Sequence, residues 1–149
     1  MTLVPRGASE DQVLDLVRSW IDVLAQQDYE AVATNLGYAL AFGRPRSECI
    51  REAIEGYRCA VYYPGVKEFL VTDWRTAQGG NPDRKQEVVW YKPNASGLVG
   101  AVAFDLPLNG CWSTLTADFV FCENSNSSEG YPLGLEEIQS SLSSAPSEA

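Results

Sequence analysis

Apolar residues fall at Val13, Leu16, Val17, Trp20, Ile21 and Leu24, a spacing near 3.6 that predicts an amphipathic helix with one buried face. Ser9 and Gln12 stand at capping-box spacing before it, and Glu10 and Asp11 suit the positive end of the helix. Asp28 then caps a second short helix, Tyr29 to Leu36, with Val32 and Leu36 inward and Gly37 as a stop. After an apolar stretch through Phe42, Gly43-Arg44-Pro45 starts a third helix to Tyr57, with Ile50, Ala53, Ile54 and Tyr57 on one face.

Beyond Tyr57 the period drops to two, and β-branched and aromatic residues take over. Strands are expected at Lys67 to Arg75, Gln86 to Tyr91, Leu98 to Leu106 and Trp112 to Glu123. The turn formers Gly79-Gly80-Asn81-Pro82-Asp83, Pro93 to Gly97 and Asn109-Gly110 separate them. The last strand is the clearest, because Leu115, Ala117, Phe119 and Phe121 alternate with Thr114, Thr116, Asp118 and Val120. Asn124 to Gly130 reads as a polar loop, Tyr131 to Gln139 as a further short strand or helix, and residues 140–149 as a disordered tail. The run Leu3-Val4-Pro5-Arg6-Gly7 resembles a thrombin-type cleavage site, so residues 1–8 are expected to be a flexible N-terminus, a tag remnant or a natural start. Residues 9–139 are expected to form one α+β domain, three N-terminal helices packed on a four-stranded antiparallel meander.

Charge changes the picture. All 11 Lys and Arg lie at or before Lys92, net charge is −9, and Pro93 to Ala149 holds seven acids and no base. Such a half repels nucleic-acid phosphates and matches a basic partner. The chain has no histidine, so Ser-His-Asp and Cys-His machinery are excluded, and the commonest metal ligand is missing. No phosphate-cradling glycine motif occurs, and neither cofactor nor metal is expected. The longest apolar runs fall far short of the ~18 residues that span a bilayer. With no secretory signal visible, a cytoplasmic setting with reduced thiols at Cys49, Cys59, Cys111 and Cys122 is expected.

The segment Val13 to Leu36, with Leu16, Val17, Trp20, Leu24 and the turn Asp28-Tyr29-Glu30-Ala31-Val32, resembles the opening of the nuclear transport factor two-like (SnoaL-like) superfamily. The resemblance implies a cystatin-like roll, in which helices rest in a strongly curved sheet around a conical pocket. Residues 28–57, with the helix Ser47 to Tyr57, are also similar to small uncharacterised bacterial proteins of this length. Some roll-fold proteins of that size are immunity proteins that neutralise a toxin. Catalytic members of the superfamily place Asp, Tyr or His in the pocket, and no such constellation aligns here.

Two sets of residues follow. The leading reading is a non-enzymatic module that binds a basic, toxin-like protein through Asp105, Asp118, Glu123 and Glu129, with Trp90, Tyr91 and Trp112 as aromatic anchors. The second is a small-molecule-binding or isomerase-like protein whose pocket holds Asp73, Trp74 and Tyr57. A homodimeric accessory domain is the third.

Overall fold

The computed structural model describes residues 2–38, 44–123 and 129–140. Helix α1 is Glu10–Leu24, and its start is the expected capping box: Gln12 N–H donates to Ser9 Oγ at 3.2 Å, and Ser9 N–H to Gln12 Oε1 at 2.7 Å. Its buried stripe is Val13, Leu14, Val17, Trp20, Ile21 and Leu24; Leu14 replaces Leu16 as the inward residue of the second turn. Gln27 ends this segment at φ 63°, a conformation that costs a non-glycine residue about 1–2 kcal/mol. Its side chain is anchored in return, donating to the Ala25 and Val71 carbonyls and accepting from the Tyr29 hydroxyl. Helix α2, Tyr29–Asn35, is capped by Asp28, which accepts from Ala31 N–H at 3.1 Å. Helix α3 is Arg46–Glu55.

The sheet is curled and antiparallel, with strands in the order β1-β6-β5-β4-β3. These are β1 Leu3–Pro5, β3 Gln86–Trp90, β4 Leu98–Leu108, β5 Cys111–Cys122 and β6 Gly130–Ser140. The two-residue β2, Gly37–Tyr38, pairs parallel to β6. The β4–β5 hairpin turns on Asn109 at φ 52° and Gly110 at φ 83°, the left-handed pair that a two-residue turn requires. Helix α1 covers β3 and β4, and α3 packs near β6. Trp20 meets Phe119 edge-on at 5.3 Å, which places the helices on the Phe119 face of β5. That concave side is filled by Val17, Trp20, Ile21, Leu24, Phe104 and Phe119, all buried.

Four expectations are corrected. Among the described residues the sheet has five main strands, and the meander is β3-β4-β5-β6. Lys67 to Arg75 makes one bridge, Val71 to Leu108, and is not a regular strand. It buries Phe69 and Val71 as alternation predicts, but it lies against a hairpin tip. There Pro107 has no N–H to give and the left-handed turn ends the ladder. Its backbone is tied instead to the tip: Thr72 N–H donates to Pro107 O, Asn109 N–H to Leu70 O, and Leu70 N–H to Asn109 Oδ1. Residues 3–5 are part of the fold, since Leu3, Val4 and Pro5 pair with Pro132, Tyr131 and Gly130, and Val4 is fully buried. Tyr131 to Gln139 is strand. Ser140, expected to open the tail, instead ends β6 paired with Leu115; residues 141–149, the loop residues 124–128 and the apolar run 39–42 lie outside the described residues.

Candidate functional site

Residues of β5 that alternate with Phe119 face away from the helices. Register then fixes what lies beside them: Glu87 on β3 pairs with Ala103 on β4, Ala103 with Asp118 on β5, and Asp118 with Glu137 on β6. Three carboxylates therefore share one row across four strands. The next row is Val89, Ala101, Val120 and Gly134, apolar throughout. A ladder shift between Asp118 and Phe119 inserts Glu136 beside the acidic row. The result is a shallow groove of about 100 Å³ lined by residues that include Glu87, Val89, Ala101, Ala103, Asp118 and Glu136.

The acids are crowded. Asp118 is half-buried, and burial raises its pKa first; Glu137 and Glu136 push in the same direction, against a hydrogen bond from Gln139 and the charge of Lys85. Cys122, two rows along, is raised by burial and by Glu136. Such a surface gains most from a cation that relieves the mutual repulsion. At its β3 end Val89 is 47% and Tyr91 45% exposed, and on the opposite face of the same edge Trp90 is 45% exposed. Trp90 is not loose: its ring stands edge-on to Phe121 at 5.3 Å, and Phe121 lies over Gly100, where a Cβ would be 2.4 Å from the ring. A second depression, about 250 Å³, is lined by Tyr91, Asn94, Leu98, Glu123 and Tyr131.

Of the sequence-predicted partner residues, Asp118 and Tyr91 lie on this surface, while Trp90, of the opposite parity, pairs with Gly100 and turns to the Phe121 side of the sheet. Glu129 is exposed on the approach to β6. Glu123 is exposed but already paired with Arg6 at 3.1 Å. Asp105 and Trp112 are corrections: they are 1% and 6% exposed and present nothing to a partner. The cause is residues 80–85, which cross over them. Gly80 at φ 69° lies so close that a Cβ would sit 2.1 Å from the Trp112 carbonyl, and Asn81 N–H donates to that carbonyl at 2.9 Å. Asn81 Nδ2 donates to Asp105 Oδ2 at 3.0 Å and to Ser113 O at 3.1 Å, Lys85 N–H to Asp105 Oδ2 at 2.8 Å, and Thr116 Oγ1 to Asp105 Oδ1 at 2.5 Å. Burial raises the Asp105 pKa, against the pull of these bonds. The Arg84 guanidinium closes over the Trp112 ring at 4.6 Å.

Asp73, Trp74 and Tyr57 do not converge on one cavity. Asp73 is exposed and accepts from the backbone and guanidinium of Arg75. Trp74 lies between Arg18 and Arg75 and donates to Asp22, whose pKa the Arg75 hydrogen bond lowers. Tyr57 is buried elsewhere, edge-on to Tyr63 and Phe69, with its hydroxyl 2.9 Å from Thr114 Oγ1. The four cysteines are half-buried and none is in a disulfide. Among the described residues no cluster of three His, Cys, Asp or Glu is placed to hold a metal ion, and no helix is long and apolar enough to cross a membrane.

Sequence reasoning missed Glu87, Val89, Glu136 and Glu137. The signal for the first two was present, as Glu87, Val89 and Tyr91 share one parity of β3. No protein-family model matches the chain, and no curated protein or solved structure matches it either.

Proposed function

We propose that this protein is a non-enzymatic binding module that receives a basic protein partner on the outer face of its sheet. The observation that carries the reading is the register row Glu87–Ala103–Asp118–Glu137 beside the exposed apolar row led by Val89. Acids supply steering and orientation; the apolar row and Tyr91 supply area that is lost from water on contact. An immunity-type role, in which the partner is a cationic toxin, fits this chemistry and the size of the chain. The curled sheet holding three helices supports the nuclear transport factor two-like reading. The filled concave side favours use of the outer face over a conical pocket.

Charge reversal at Glu87 and Glu137 tests the reading. Both side chains stand on the outer face, so the Glu87→Lys, Glu137→Lys double variant is expected to fold while losing roughly tenfold or more in association rate with the native partner at low salt. A double variant that binds its partner at the wild-type rate, with wild-type salt dependence, overturns it.

A further inference from the structure

Among the described residues strand β3 is an edge of the sheet, paired on one side only, with β4. The direction of its backbone groups can be fixed. Asp105 N–H donates to Lys85 O at 2.9 Å and Tyr91 N–H donates to Val99 O at 2.9 Å, so odd-numbered residues bond to β4. By alternation the N–H and C=O groups of Gln86, Val88 and Trp90 point the other way. Among the described residues no strand pairs with this edge, and no helix or loop backbone bonds to it. Lys85 and Lys92 stand just beyond its two ends, but between them the edge is lightly guarded: Val89, Trp90 and Tyr91 are exposed apolar groups, and Glu87 is the one charged residue within the strand.

We propose that an extended segment of the basic partner adds to the sheet as a further strand along β3, its backbone bonding to Gln86, Val88 and Trp90. This deepens the proposed function and rests on it for the partner's charge. An added strand places alternate side chains on opposite faces. On the outer face its residues fall beside Glu87 and Val89 and prolong the row through Asp118 and Glu137, where Lys or Arg is the complement. On the concave face they fall beside Val88 and Trp90, where valine, isoleucine or an aromatic ring packs. The segment is therefore an alternating basic and apolar stretch of about five to seven residues, the length of β3 itself. Charge decides against a second copy of this chain. Two-fold pairing centred on Val88 would satisfy the same backbone groups, but it would join two acidic outer faces and two chains of net charge −9.

The probe is a synthetic heptapeptide alternating valine with lysine or arginine, titrated into the isotopically labelled full chain by calorimetry and amide exchange. Binding is expected with exchange at Gln86, Val88 and Trp90 slowed roughly tenfold or more at saturation, while odd-numbered neighbours change little. The same peptide N-methylated at alternate nitrogens, on the edge-facing side, is expected to lose roughly tenfold or more in affinity. Because this change is made on the peptide, folding of the protein is not at issue. Peptide binding with unprotected edge amides and no N-methyl penalty overturns strand addition and leaves the acidic-face reading standing. Protection and an N-methyl penalty without any effect of salt or Glu87→Lys preserves the edge site and sinks the acidic-face reading. No binding at millimolar peptide overturns the proposal. So does edge protection that rises with protein concentration alone, which assigns the edge to a second copy.

Discussion

Replacing Asp105 by alanine removes the acceptor for three donors at once. Lys85 N–H loses its partner, Thr116 Oγ1 loses its acceptor in a buried position, and Asn81 Nδ2 keeps only Ser113 O. Each buried donor left unsatisfied costs about 1–3 kcal/mol. Relief of the desolvated carboxyl offsets part of this, since burial raises the Asp105 pKa and so disfavours its charged form in the fold. A net loss of about 2–5 kcal/mol remains, a large fraction of the stability of a domain this size. Urea unfolding followed by tryptophan fluorescence is the assay, because Trp112 lies under the same 80–85 segment and reports its release. A shift of the unfolding midpoint equivalent to under ~0.5 kcal/mol would refute the idea that Asp105 staples this segment to β4 and β5.

Other outcomes follow from the same geometry. Gly80→Ala combines a left-handed backbone with a Cβ 2.1 Å from a carbonyl oxygen, and should destabilise by about 2–4 kcal/mol in thermal or urea melts. Asp105 and Asp118 both have raised pKa values when folded, so the fold binds more protons than the unfolded chain between the ordinary carboxylate pKa and the raised ones. Their contribution is fully present below the ordinary value and is lost as pH rises through the raised ones, so Asp105→Asn should flatten the fall in unfolding free energy across that window. Asp22 has the opposite sign: held low by Arg75, it stabilises above the ordinary carboxylate pKa and is lost on acidification. Asp73→Asn should change stability by less than ~0.5 kcal/mol, since the side chain is exposed. Thiol titration of the denatured chain without reductant should return all four cysteines.

Where local physics decides the structure, the sequence already carried it. The capping box of α1 and its stripe are both local, and Asn109-Gly110 specifies its turn by backbone preference alone. The strand β6 was harder, because Pro132 and Gly134 disfavour a strand and the extra residue at Glu136 interrupts its alternation. Lys67 to Arg75 carried a strand pattern, yet strand formation needs a partner, and this one meets Pro107 and a turn. Asp105 and Trp112 failed as surface residues for a tertiary reason, the crossing of residues 80–85, which no neighbouring letter announces. Asp118 was correctly placed on the outer face by alternation, but its companions Glu87 and Glu137 come from other strands and emerge only with the register.

In the proposed function the acidic outer face of the sheet, and not a pocket, is the working surface. Association kinetics of the native partner with the wild type and with the Glu87→Lys, Glu137→Lys variant, at low and high salt, test it most directly. The wild-type association rate is expected to fall steeply with salt, and the reversed-charge rate to be low and nearly flat. Equal rates for the two proteins, indifferent to salt, would contradict it.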